Sequence, residues 1–412
     1  MKLKPGWRHV KLSDIAKIKS GSTPLRAEGE RYFSTAGTPW VKTLDLNNGE
    51  IISTDEKITD TALLETSCSV FPVGTVLVAM YGGFNQIGRT GLLTIPAAIN
   101  QALSGLILDR DKAEPAYILN YLNGNVKLWK KFAASSRKDP NITRDDVCGF
   151  PVLLPPLAEQ KKIAKILSTW DNAISVTEKL LTNSQQQKKA LMQQLLTGKK
   201  RLLDENGVRF SGEWKRVKLG AIADMNSGGT PKSTVEEYYG GNIPWVSISD
   251  MTSNGKWIAT TEKYLTELGL NSSSARIYPK NSVLYAMYAS IGECSIAAVN
   301  LTSSQAILGI RPKDCLNYEF LYFYLTSLKE KIKLQGQQGT QSNLNAGMVK
   351  EFELDLPSIR EQQKIAAVLS VADAEISTLE KKLACLRDEK KALMQQLLTG
   401  KRRVKVDEAV AE

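Results

Sequence analysis

The side chains equipped for chemistry in this chain are amides, hydroxyls and cations set in polar loops, and the loops come in pairs. Ser135-Ser136-Arg137-Lys138-Asp139-Pro140-Asn141 follows one predicted helix, and Gln335-Gly336-Gln337-Gln338-Gly339-Thr340-Gln341-Ser342-Asn343 follows another. Arg reads guanine and Asn or Gln reads adenine through paired hydrogen bonds, so these types suit base edges. The same composition fits a surface loop that touches nothing. Ser20-Gly21-Ser22-Thr23-Pro24 and Ser227-Gly228-Gly229-Thr230-Pro231 form a second pair. Gly-rich loops expose backbone N–H groups and can cradle a phosphate; a plain turn fits them equally.

Further pairs extend the correspondence. Pro39-Trp40-Val41 leads to Lys42, Thr43 and Asp45, and Pro244-Trp245-Val246 leads to Ser247 and Asp250. Each reads as a strand with a core Trp and polar residues at its end. Met80-Tyr81 and Met287-Tyr288 close buried strands and open loops that carry Asn85 and Arg89 in the first copy. The candidate DNA-contacting residues are therefore Thr23, Lys42, Asp45, Tyr81, Asn85, Arg89, Arg137, Lys138 and Asn141 in the first half. In the second they are Thr230, Lys232, Ser247, Asp250, Tyr288, Gln337, Gln338, Thr340 and Asn343.

Other chemistries lack their residues. His9 is the only histidine, which nearly excludes His-ligated zinc and His acid–base catalysis. Gly198-Lys199-Lys200 and Gly400-Lys401-Arg402 lack the upstream Gly and the Ser/Thr of a phosphate-binding P-loop. Leu154-Pro155-Pro156-Leu157 is not an amine-methylation motif, having no amide before it and no aromatic after it. The carboxylates form no defensible metal-nuclease cluster. The reading is of a chain that catalyses nothing, with no catalytic or metal residue of its own.

The elements that must hold these loops are announced by a repeat. Lys189-Ala190-Leu191-Met192-Gln193-Gln194-Leu195-Leu196-Thr197-Gly198-Lys199 recurs letter for letter from Lys391 to Lys401, and Glu159-Gln160 recurs as Glu361-Gln362 at the same spacing. An internal repeat decides architecture ahead of any local motif. Apolar residues alternate in steps of four and three from Ile163 to Leu195 and from Ile365 to Leu397. That period keeps one stripe facing a partner helix and predicts a coiled-coil seam. Lys188 and Lys390 interrupt it at equivalent places. Two ordinary amphipathic helices, each buried against its own body, are the alternative. Since the chain must return before the second helix starts, antiparallel pairing is expected, with a rod of about 60 Å.

The predicted fold is α+β: two similar α/β bodies joined and separated by two long antiparallel coiled-coil helices. The expected segments are 1–156, a central helix 157–201, 202–356, a distal helix 357–403 and a tail 404–412. Within the bodies, helices are expected from about Pro115 to Phe132 and from about Tyr318 to Leu334. A net charge of +11 over 412 residues asks for a polyanionic partner. The basic runs Lys199-Lys200-Arg201 and Lys401-Arg402-Arg403 read as solvated helix ends. Five scattered cysteines without CxxC pairs predict a reduced, cytoplasmic setting, and no apolar run or signal core predicts a membrane segment.

In this doubled order, Leu154-Pro155…Glu159-Gln160…Ile163, the Leu-Leu-Thr-Gly-Lys helix ends and the Gly-x-Thr-Pro and Pro-Trp-Val pieces resemble the DNA specificity subunits of type I restriction-modification enzymes, over essentially the whole chain. The resemblance implies two target-recognition domains, each gripping one half of a split asymmetric site on double-stranded DNA, with the helices measuring the unread gap. It implies two methylation subunits docked on the helices and restriction subunits as further partners. S-adenosylmethionine, ATP and Mg2+ would belong to those partners, leaving no cofactor in this chain. Two rival readings remain: a structural adaptor whose charge is incidental, and an enzyme with a scattered nuclease site. A specificity subunit serving a methylation-only or fused-nuclease system is a close variant of what the resemblance implies.

Overall fold

A computed structural model describes residues 4–134, 141–337 and 344–406. Its internal contacts divide the chain into two units, Met1–Glu178 with Lys382–Glu412, and Lys179–Lys381. Both long helices, Leu157–Leu195 and Ile359–Leu397, therefore contribute one part to each unit.

In the first unit, a five-stranded sheet runs in the order Ala16–Ser20, Leu103–Leu108, Val76–Ala79, Thr90–Leu93, Glu50–Ile51. Only the last pair is parallel. Strand Val76–Ala79 is apolar and buried along its whole length, as a central strand covered on both faces requires. A four-stranded sheet carries Thr38–Val41 between Lys57–Ile58 and Ala98–Ile99, and Arg8–Lys11 pairs with Pro151–Leu154. The second unit repeats the plan. Its five strands are Ala223–Ser227, Ile307–Pro312, Val283–Ala286, Cys294–Ala297 and Trp257–Ile258, in the same order and sense. Strand Tyr239–Val246 lies between Lys263–Leu265 and Thr302–Ser303.

The helix expected from Pro115 to Phe132 is two helices, Pro115–Gly124 and Val126–Ala134. Asn125 breaks it: its backbone leaves the helical region, and its amide caps the carbonyl of Tyr121 at 2.8 Å. The counterpart Tyr318–Gln337 is continuous.

Every predicted seam position of the long helices is buried or half-buried. In the first unit Lys390 pairs with Asp171 and Arg387 with Glu178, so partners descend along one helix as they ascend the other. In the second unit Ser184 meets Glu375 at 3.0 Å and Lys188 pairs with Asp373. Both pairings are antiparallel. The seam lysines thus each hold an aspartate of the facing helix. Helix stops at Leu195, short of residue 201, because Gly198 takes the left-handed conformation (φ +67°); Gly400 does the same after Leu397.

The Glu-Gln repeat has a structural task. Gln160 accepts from the N–H of Glu114 and donates to the carbonyls of Lys112 and Pro155. Gln362 repeats this with Asn317, Cys315 and Pro357. Glu159 accepts from the Trp7 indole at 2.9 Å and pairs with Arg403, while Glu361 accepts from Trp214 at 3.1 Å and pairs with Arg201. The basic runs after the helices are therefore not simply solvated: their third residue is an ion-pair partner for a buried carboxylate. No described helix is long and apolar enough to cross a membrane.

Candidate nucleic-acid interface

At one end of the first unit's five-stranded sheet, four connections converge. Strand Ala16–Ser20 runs out at Gly21, whose N–H donates to Leu103, while Ser22 donates to Ile99. Strand Thr38–Val41 runs out at Lys42, and the Val41 carbonyl accepts from Asn100 at 2.9 Å. Met80, following strand Val76–Ala79, donates to Ala102 and accepts from Ile142 at 3.0 Å. Thr23, Lys42, Tyr81, the Asn100-Gln101 turn and Asn141 are thereby brought to one sheet end.

The second unit builds the same end. Gly228 donates to Ile307, Gly229 to Ser303, Ser304 to Val246, and Met287 to Ala306, while Leu344 donates to Met287 at 3.1 Å. Thr230, Ser247, Tyr288 and Gln305 gather there, with the Gln305 N–H 3.5 Å from the Thr230 hydroxyl. A cleft of about 630 Å³ adjoins this loop; Tyr239 lines it together with Glu236, Glu262, Lys263 and Tyr264, and donates its hydroxyl hydrogen to Pro231.

Most N–H groups of the Gly-rich loops are not available to a phosphate. The N–H groups of Gly21, Ser22, Gly228 and Gly229 are spent on neighbouring strands. A Cβ on Gly21 would lie 2.2 Å from the Asn100 carbonyl oxygen, and one on Gly228 would lie 2.2 Å from that of Ser303. These glycines let two backbones touch. The loop is then pinned by the buried tryptophans: Trp40 donates to the Ser22 carbonyl at 3.1 Å and Trp245 to that of Gly229 at 2.9 Å.

Four predicted contact residues turn out to serve the fold. Asp45 accepts the Lys42 N–H at 2.7 Å, and burial pushes its carboxyl up. The Lys42 ammonium is 2.6 Å from Glu56, which also holds Arg26 at 2.7 Å; these cations keep the Glu56 carboxyl below its ordinary range, Arg26 most strongly. Ser247 and Asp250 form a reciprocal capping box at the start of helix Ile248–Asn254. The second oxygen of Asp250 accepts from the Glu262 N–H, so both oxygens of this buried carboxylate hold the local backbone.

Tyr81, Asn85, Thr230, Lys232 and Tyr288 are exposed, whereas Thr23, Arg89 and Asn141 are half-buried. Arg89 donates to the Asn85 carbonyl at 3.2 Å, which shapes their shared loop. Arg137, Lys138, Gln338, Thr340 and Asn343 lie outside the described residues, as does the side chain of Gln337. Gln101 and Gln305 were missed as candidates. Both are exposed at the centre of the convergence, and their recurrence in the Gln-Ala pair was the available signal. Among the described residues, no group of His, Cys, Asp and Glu could hold a metal ion.

Residues 4–183 and 211–386 match the family model of the type I restriction modification DNA specificity domain. The MjaIX type I restriction enzyme specificity subunit of Methanocaldococcus jannaschii is 36% identical over 172 residues, 41% of this chain and 40% of that relative. The MjaVIII specificity subunit of the same organism is 27% identical over 97% of this chain and 93% of its own length. In three dimensions, the chain is similar to the crystal structure of the type I restriction-modification S subunit from M. genitalium. Their TM-score is 0.61 at 16% identity, covering 96% of this chain and 98% of that one.

Proposed function

Because the chain belongs to the type I restriction-modification DNA specificity family, and is a non-catalytic specificity subunit of such a system, we propose that it reads double-stranded DNA through its two sheet ends, each taking one half of a bipartite asymmetric site. The observation that carries this reading is the repetition of one framework with different loops. The glycine contacts, the tryptophan pin and the methionine-anchored return are the same in both units, while the loops that follow Tyr81 and Tyr288 differ in length and residue type, 82–89 against 289–293. A tool that reads two unlike half-sites needs a constant mount and variable tips.

Phosphate contacts would position each body, and side chains such as Tyr81, Asn85, Thr230 and Tyr288 would meet bases. The long helices would set the unread gap; their support is thirty-nine helical residues each. Two methylation subunits would dock on them, and restriction subunits would join the assembly. Val176, Leu180 and Val371, apolar and exposed on these helices, suit such docking. S-adenosylmethionine, ATP and Mg2+ would be bound by those partners.

The deciding experiment is base-modification sequencing of host DNA with the chain present and deleted. Loss of one methylated motif, made of two short halves around a fixed gap, is the expected result. An unchanged methylome, together with salt-insensitive DNA binding by the assembled complex, would leave the adaptor role instead.

A further inference from the structure

The first unit carries a cationic face that the reading loops do not account for. Helix Val126–Ala134 exposes Lys127, Lys130 and Lys131. Spacings of three and four place them together on one side. The opposite side is fixed: Trp129 is buried and stacks on Phe150 at 3.9 Å between ring centres.

This helix leans on the candidate interface. Gly88 passes so close to Trp129 that a Cβ there would lie 2.8 Å from the tryptophan side chain. The helix therefore packs on the loop holding Asn85 and Arg89. Beyond it, Ile142 is tied to Met80 at the base of the same loop. No described carboxylate pairs with Lys127, Lys130 or Lys131, and residues 82–89 include no acid. Like charges three and four apart weaken a helix; an external polyanion would relieve that repulsion.

The second unit is built otherwise. In helix Tyr318–Gln337, Lys329 is ion-paired with Glu293 of the corresponding loop, and Glu330 follows it. Gly292 packs against Lys329 as Gly88 packs against Trp129. Among the described side chains, the first body thus presents three bare lysines on the helix beside its loop, whereas in the second the loop-facing Lys329 is neutralised and only Lys331 is bare.

We propose that Lys127, Lys130 and Lys131 form a phosphate-contact face flanking the half-site of the first body, which therefore carries the larger share of salt-dependent affinity. This rests on the DNA-reading role proposed above. The lysines position the duplex and read no base.

The test is equilibrium binding of the assembled complex to two duplexes, one of mixed sequence and one holding the methylated motif, across a potassium chloride series. Replacing the three lysines by Gln should shrink the slope of log K against log salt by about 2 to 3, at roughly 0.9 per lost phosphate contact. The loss should be equal on both duplexes, leaving the preference between them intact, and Lys→Arg replacements should restore the slope. A combined Lys329→Gln and Glu293→Gln variant should leave the slope unchanged; a comparable drop there would overturn the asymmetry. If the unsubstituted complex binds steeply and the Gln variant matches it, the lysine assignment is wrong while DNA reading stands. If the unsubstituted complex shows no salt-dependent binding to either duplex, the DNA reading fails and the lysine face with it.

Discussion

Arg201 grips Glu361 with two guanidinium nitrogens, at 2.6 and 2.7 Å, though 160 residues separate them in the chain. Glu361 is 1% exposed, and the Trp214 indole shares its second oxygen. Removing one partner of such a pair strands a buried charge, which costs about 3–5 kcal/mol. Arg201→Ala should lower the urea midpoint of the full chain accordingly, and adding Glu361→Gln should recover part of the loss. An unchanged midpoint in the single variant would show that the pair is not structural.

Lys188 and Asp373 are both largely shielded, so their pairing across the seam should be measurable. A double-mutant cycle with Lys188→Ala and Asp373→Ala should give a coupling of about 1 kcal/mol. Zero coupling would mean that the seam tolerates the lysine without help from its partner.

Ala at Gly21 would push a methyl group into the Asn100 carbonyl, and a backbone carbonyl cannot swing away as a flexible side chain can. Gly21→Ala should destabilise the first unit by about 2 kcal/mol or more. It should blur base preference at only one half of the DNA motif, as read by modification sequencing. Equal blurring of both halves would contradict independent reading by the two bodies.

Glu56 ties acid stability to Arg26 and Lys42. Its carboxyl is held below the ordinary 4.5, so its contribution is present above that pH. The contribution is lost as pH falls below 4.5 through the folded-state value. Glu56→Gln should lower stability near neutrality and flatten the fall below pH 4.5. Parallel pH curves for the two proteins would refute the assignment.

Inserting four helix-forming residues after Ser184 adds about 6 Å of helix. If the helices set the gap, the methylated motif should keep both halves and widen between them. A motif with its gap intact would remove the ruler from the proposal.

The seam was legible because a period of 3.5 is written locally, residue after residue. Ion pairs are not written that way. Arg201 and Arg403 looked like solvated charge because their carboxylate partners lie far along the chain. Asp250 was misread although its signal was present: Ser247 three residues ahead of an acid, before a helix, is a capping box. Asp45 lacked even that, since Lys42 offers a backbone N–H but no capping hydroxyl. The glycine loops fitted a phosphate cradle and a plain turn equally, and only the strand partners of the Gly21, Ser22, Gly228 and Gly229 N–H groups reveal that those four are spent. Lys127, Lys130 and Lys131 were hidden by being ordinary helix residues. Their meaning comes from Gly88 and Trp129, which seat that helix beside a loop.

The Trp7 ring lies against Gly400 while Arg403 reaches Glu159; Trp214 lies against Gly198 while Arg201 reaches Glu361. One of these junctions is bridged by a continuous backbone, through the exposed turn at Glu205 and Asn206, and the other is not. The contacts take no notice of the difference. A permuted gene whose product begins at Asn206 and ends at Glu205, with residue 406 linked to residue 4, should keep both tryptophan–glycine and both arginine–glutamate contacts and open only the turn in which Gly207 donates to Asp204. Which body comes first is thus a matter of where the coding sequence is opened, not of how the body folds.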